Sequence, residues 1–215
     1  MPAKVKICGL DREEAVDATV DSGAAMAGFV FYEPSPRNLP IEDAAKLIRR
    51  VPASVEIIGL FVNPDDALVT RVLDQTDLDV LQLHGDESPA RIKELKMLTG
   101  LPVIKVLKIA QADDLDVLKH YEPVAERFLF DARAPEAMEN ALPGGNALSF
   151  DWRLLAGRNW NTPWVLAGGL TAENVADATR ISGAEAVDVS SGVEDKPGVK
   201  NVGKIKAFIE AVASV

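Results

Sequence analysis

One thiol is present in 215 residues, Cys8, and it ends the short β-rich run Val5-Lys6-Ile7. A helical pattern follows at once, so the sulfur falls at a strand-to-helix turn. A lone thiol there reads in two ways: as a reactive group at the mouth of a parallel sheet, or as the small buried hydrophobe that free cysteine commonly is. Asp131 closes the apolar run Phe128-Leu129-Phe130, which would desolvate a carboxylate and raise its pKa toward the range of a general acid. The alternative is an aspartate that caps the following turn. Arg37 stands in a proline-stiffened loop, where its planar fork suits a carboxylate or phosphate, or is simply solvated. His84, followed by Gly85-Asp86, either orients a substrate or satisfies a hydrogen bond at a strand end. Gly168 and Gly169 follow one apolar run, and Asp188, Ser190, Ser191 and Gly192 lie in and after the next. Small residues at two successive turns let backbone N–H groups approach an anion closely.

These groups need a scaffold, and the rest of the chain supplies a repeating one. Short β-branched runs alternate with longer amphipathic stretches, predicting strands at 5–10, 26–32, 56–62, 79–84, 102–109, 127–132, 164–168 and 185–190. The first helix is expected over 11–22, with Asp11 as N-cap and Glu14 at capping-box spacing. Others are expected at 41–51, 88–98, 112–120, 151–156, 171–181 and 202–212, with Asn63-Pro64 opening one more in N-cap, N1 order. Residues 133–149, containing Pro143-Gly144-Gly145-Asn146, form the longest irregular stretch. Eight strands each followed by a helical pattern predict a (β/α)8 barrel. No linker or shift in composition divides the chain, so residues 1–215 are expected to form one domain. Parallel strands in register gather their last polar residues on one rim. That rim would carry Cys8, Asn63, His84, Lys108, Asp131, Gly168-Gly169, Asp188 and Ser190-Ser191, with Cys8 and Asp131 facing each other across the mouth.

Composition narrows the function classes. Hydrophobic residues make up 47% and charged ones 26%, which argues against disorder. There is no uninterrupted apolar run of about 18 residues, so no transmembrane helix and no membrane partner are expected. Met1-Pro2-Ala3-Lys4 lacks the apolar core of a signal peptide, and a lone cysteine forms no internal disulfide; a cytoplasmic location is the expectation. A net charge of −10, with Arg49-Arg50 the one basic cluster, argues against nucleic acid. Any anionic substrate must then be held by local donors. Two histidines without ligand spacing argue against a metal site, and Asp113-Asp114-Leu115-Asp116 reads as a solvated helix start.

Seven strings occur in a telling order. They are Lys6-Ile7-Cys8-Gly9-Leu10, Gly28-Phe29-Val30-Phe31-Tyr32 with Ser35-Pro36-Arg37, and Gly59-Leu60-Phe61-Val62-Asn63. Leu81-Gln82-Leu83-His84-Gly85, Phe150-Asp151-Trp152, Leu166-Ala167-Gly168-Gly169-Leu170 and Asp188-Val189-Ser190-Ser191-Gly192-Val193-Glu194 complete them. Along its whole length the chain resembles the phosphoribosylanthranilate isomerases of tryptophan biosynthesis. The resemblance implies a cofactor-free Amadori rearrangement of a phosphosugar–anthranilate substrate, the third step from chorismate to tryptophan, by a monomer or homodimer. It implies Asp131 as general acid, Cys8 as general base, Arg37 at the anthranilate carboxylate and Asp188 near the amine. Gly168, Gly169, Ser191 and Gly192 would fall in the phosphate loops. In the loop after the sixth strand, Gly144-Gly145-Asn146-Ala147 departs from the family pattern, with Asn146 where threonine and Ala147 where glycine is usual. Two other readings are an indole-3-glycerol-phosphate synthase, which the Cys8/Asp131 pair argues against, and a silent phosphosugar-binding barrel.

Overall fold

Eight apolar runs become eight parallel strands, because each has two faces to bury and a helix to bury one of them. The computed structural model describes residues 2–135, 138 and 142–215. The strands are β1 (Lys4–Cys8), β2 (Met26–Phe31), β3 (Glu56–Phe61), β4 (Val80–Leu83), β5 (Val103–Ile109), β6 (Arg127–Ala132), β7 (Trp164–Leu166) and β8 (Ala186–Val189). They close in sequence order, β8 pairing back onto β1 with Lys6 opposite Asp188. This is the (β/α)8 barrel the sequence predicts.

The two-residue period of each strand divides its side chains between two cores. Met26, Ile58, Val80, Ile104, Leu129 and Val165 fill the barrel interior. Ile7, Phe29, Phe61, Leu81, Phe128 and Phe130 face outward, beneath the helices. Those helices are α1 (Glu13–Asp21), α2 (Ile41–Ile48), α3 (Asp66–Leu73), α4 (Pro89–Thr99), α5 (Leu118–Tyr121), α6 (Val175–Ser182) and α7 (Val202–Ala213). A short antiparallel hairpin, β9 (Glu194–Lys196) and β10 (Val199–Lys200), separates β8 from α7. At the N-terminal end of the barrel Arg127 Nη1 donates to Glu56 Oε2 at 2.6 Å, joining the first residues of β6 and β3.

Several helix starts differ from expectation, each for a local reason. Asp11 does not cap α1: its carboxylate accepts from Arg12 Nη1 at 2.8 Å, and Arg12 occupies the cap position without a side-chain bond. Asn63 adopts φ +45, and its Oδ1 accepts from the Asp86 N–H. Asp65 caps α3 instead, accepting from the Leu68 N–H at 2.7 Å. The expected helix at 112–120 is a 3-10 turn, Ala112–Val117, followed by the single turn of α5. Asp114 there is not solvated. It accepts from the Ala110 and Gln111 N–H groups and pairs with Arg133. The stretch over 151–156 is likewise only a 3-10 turn, Trp152–Leu154. The α6 helix begins later than expected because Asn174 Oδ1 first closes a turn on the Thr171 N–H.

Candidate active site

At the C-terminal ends of the strands lies a cleft of about 790 Å³, open solvent at its mouth included. Cys8, Arg37, His84, Asp131, Gly168, Gly169, Asp188, Ser190, Ser191 and Gly192 line it. Lys108 and Asn63 do not: Lys108 borders a neighbouring, wider hollow over β5, and Asn63 props the turn at residues 85–87. Among the described residues no group of three or more His, Cys, Asp or Glu side chains is placed to hold a metal.

The β1 strand sends Lys6 and Cys8 inward, one above the other. Lys6 is fully buried and its Nζ donates to Asp188 Oδ1 at 2.8 Å. Cys8 pairs in register with Gly28 of β2, and an added Cβ on Gly28 would lie 3.0 Å from Lys6 Nζ and 3.2 Å from Cys8 Sγ. The missing side chain therefore lets ammonium and sulfur share one space. Burial pushes the Cys8 thiol pKa up; the Lys6 charge opposes that rise and Asp188 adds to it. Burial works to lower the Lys6 pKa, but Asp188 and Cys8 together carry it above the ordinary lysine value.

Asp131 is the penultimate residue of β6, on the interior face above Leu129. The expectation that Phe128 and Phe130 would desolvate it is corrected by the strand period: both rings point outward. Phe130 packs on Trp160 and Trp164, with ring centroids 5.1 and 5.5 Å away. The carboxylate is buried by other means. Its Oδ1 accepts from the Ala132 N–H at 2.8 Å, and its Oδ2 lies 3.3 Å from His84 Nε2 without hydrogen-bond geometry. An added Cβ on Gly144 would come within 2.7 Å of Asp131 Oδ2 and 2.6 Å of His84 Nε2, so the backbone after β6 covers this pair closely. Asn146 ties that backbone to itself, its amide bonding both the N–H and the C=O of Leu142. Ala147 follows at φ +55, where a glycine would sit without strain.

Arg37 is neither solvated nor free to swing. Glu194 clamps it from β9, accepting from Nε at 2.7 Å and from Nη2 at 2.8 Å, in the bidentate geometry that suits a guanidinium. Lys200 of β10 bonds the same carboxylate and the Ser190 carbonyl, and Ser190 Oγ donates to the Cys8 carbonyl. Burial alone would raise the Glu194 pKa; the Arg37 hydrogen bonds and the Lys200 charge outweigh it and hold the carboxyl below its usual range. Sequence reasoning missed the part played by Glu194 and Lys200. Arg37, the partner of Glu194, stands 157 residues away, and neither spacing nor composition reports such a pairing. Gln82, fully buried among the cleft-lining residues, was also passed over, although it lies two residues before His84 on β4.

Gly168 and Gly169 take φ +89 and +62, ending β7 earlier than predicted and turning its backbone over the rim. An added Cβ on Gly192 would meet the Leu170 carbonyl oxygen at 1.9 Å, so the turns after β7 and β8 touch directly. Across the cleft, Val30, Leu60, Tyr32 and Val62 form an apolar shelf beside Cys8.

Fold and cleft together define the class, a (β/α)8-barrel enzyme with its polar residues gathered at the C-terminal face. Residues 5–211 match the family model described as N-(5'phosphoribosyl)anthranilate (PRA) isomerase, and the chain belongs to that family. A curated N-(5'-phosphoribosyl)anthranilate isomerase from Paramagnetospirillum magneticum is 54% identical over 211 residues, 98% of this chain and 97% of that one. A phosphoribosyl anthranilate isomerase solved in complex with reduced 1-(o-carboxyphenylamino)-1-deoxyribulose 5-phosphate superposes with a TM-score of 0.83 at 32% identity, covering 99% of this chain and all of its own. Monomers generated from the dimeric Thermotoga maritima enzyme superpose with a TM-score of 0.82, also at 32% identity and with the same coverage.

Proposed function

We propose that this chain isomerises N-(5'-phosphoribosyl)anthranilate to 1-(2-carboxyphenylamino)-1-deoxyribulose 5-phosphate, in the tryptophan pathway, by acid and base catalysis alone. Asp131 gives a proton to the furanose ring oxygen, and the C1–O bond breaks as the nitrogen lone pair forms a Schiff base. The Cys8 thiolate then takes the proton from C2, and the electron pair of that C–H bond moves through C1 to nitrogen. The resulting enolamine ketonises to product. The oxidation of C2 and the reduction of C1 balance within the substrate and the side chains move only protons, which is why no cofactor enters.

The other groups hold this substrate. Glu194 engages Nε and Nη2 of Arg37, which leaves Nη1 to meet the anthranilate carboxylate, with the aromatic ring on the shelf of Val30 and Leu60. The phosphate rests at the turns carrying Gly168, Gly169, Ser191 and Gly192. Asp188, with Oδ1 taken by Lys6, turns its second oxygen to the substrate near the amine. His84 orients the substrate beside the acid. The barrel comprises residues 1–215 as one domain, acts as a monomer or homodimer, and resides in the cytoplasm; among the described residues no helix is long and apolar enough to cross a membrane.

The observation that carries this reading is that Cys8 and Asp131, on strands β1 and β6 three steps apart around the closed barrel, line one cleft. Freshly prepared phosphoribosylanthranilate, followed by its fluorescence, tests it. Cys8→Ala and Asp131→Asn should each lower turnover by about 10²–10⁴-fold with product binding retained. Loss of binding in step with turnover would recast both residues as structural.

A further inference from the structure

Gln82 is a polar side chain with no accessible surface, and neither its Oε1 nor its Nε2 has a hydrogen-bond partner among the described residues. Its strand neighbours in register are Leu60 on β3 and Ile104 on β5, both apolar. Two residues below it on the same face is Val80, and two above it is His84 at the rim. Buried polar groups are paired in nearly all proteins, and a primary amide held without a partner on a hydrocarbon floor weakens the fold it sits in. A leucine or methionine would fill the same volume without that penalty, so the amide serves something other than packing. It borders the cleft, placed between the apolar shelf of Val30 and Leu60 and the His84–Asp131 pair.

An amide offers a donor and an acceptor side by side, which restricts its ligand. A carboxylate or phosphate would use the N–H donors and leave Oε1 facing a second acceptor. A pair of neighbouring hydroxyls satisfies both atoms, one oxygen accepting from Nε2 and the other donating its proton to Oε1. The proposed substrate carries such a pair at C2 and C3 of its ribosyl unit. We infer that Gln82 is a substrate-binding residue that holds the C2 and C3 oxygens, with Nε2 on O2 and Oε1 on the O3 hydroxyl. Nε2 keeps its acceptor throughout, since O2 is a hydroxyl in the substrate and a carbonyl in the product. This assignment rests on the isomerase reading and adds to it a determinant for the sugar's hydroxyl pattern.

The test compares wild type with Gln82→Met in turnover, thermal stability and binding of the reduced product analogue, with and without its C3 hydroxyl. The methionine variant should melt at or above the wild-type temperature while kcat/KM falls about 10–100-fold. Removing the hydroxyl should weaken binding to wild type about tenfold or more and leave binding to the variant unchanged. If methionine does not fold there, Gln82→Asn, which withdraws the amide by one methylene, reads the same difference. Turnover within twofold of wild type, or an equal loss on hydroxyl removal in both proteins, would overturn the role given to Gln82. A wild-type protein inert toward phosphoribosylanthranilate would instead overturn the isomerase reading.

Discussion

At the scale of the residue, the central question is how a buried sulfur would serve as the proposed base. Burial favours the neutral thiol, and Asp188 pushes the same way, so the largest influence toward the thiolate is the Lys6 ammonium beneath it, with the Lys200 charge adding to it. Replacing Lys6 by methionine should therefore move the thiol pKa further upward, carrying the acid limb of kcat/KM to higher pH with it. At neutral pH the loss should be about 10–100-fold. Alkylation rate against pH reads the sulfur directly, and a midpoint unmoved by the substitution would remove Lys6 from the mechanism. Lys6 was legible as lying on the sulfur's side of the strand, because a period of two puts residues 6 and 8 on one face. Its bond to Asp188 was not: that pairing joins β1 to β8 across the closure of the barrel, 182 residues apart.

At the scale of the element, the β9–β10 hairpin fixes Arg37 from the far end of the chain. Glu194 accepts two bonds from the guanidinium and one from Lys200, so Glu194→Gln should leave Arg37 poorly held. KM should rise about tenfold with a smaller change in kcat. The substitution should also change the pH dependence of stability in a definite direction. The folded-state pKa of Glu194 lies below its unfolded value, so its contribution is fully present above the ordinary glutamate pKa of about 4.3 and is lost as pH falls through the lower folded value. Wild type should thus melt higher than the variant at pH 7, with the two curves converging in acid. Parallel curves down to the lowest pH would show that the clamp carries no such linkage. The hairpin was invisible in the sequence, since Glu194–Lys196 and Val199–Lys200 are too short and polar to register as strands. The barrel strands registered because each is an apolar run. Their exact ends shifted at every strand but β6, most at β1, which stops at Cys8 before Gly9 at φ +75, and at β7, which stops before Gly168 at φ +89; glycine geometry decides both boundaries.

At the scale of the whole molecule, the barrel separates chemistry from support. The groups that line the cleft come from the C-terminal ends of the strands, whereas Glu56 and Arg127 join two strands at their beginnings. This pair is partly exposed, so its removal costs less than that of a sealed ion pair. Glu56→Ala should lower the melting temperature by about 2–6 °C, corresponding to about 1–2 kcal/mol, while kcat/KM stays within twofold of wild type. An activity loss exceeding that would mean that strain at the base reaches the rim. Such a division explains why the candidate site could be assembled by taking the last polar residue of each strand: closure in sequence order converts strand ends into neighbours. The same procedure misplaced Asn63 and Lys108, because it knows where strands finish and not how the following loops turn.

A Cβ in place of the hydrogen on Gly28 Cα would reach both the sulfur of Cys8 and the nitrogen of Lys6. That methyl group, as in Gly28→Ala, would act as an insulator between them while leaving acid, anion site and guanidinium untouched. The outcome should be an enzyme dormant near neutrality that revives in alkaline solution, where bulk hydroxide ionises the sulfur unaided; a pH–rate profile superimposable on that of wild type would show the insulation to be immaterial. The absence of a side chain at this position would then be set by an electrical requirement, not by packing.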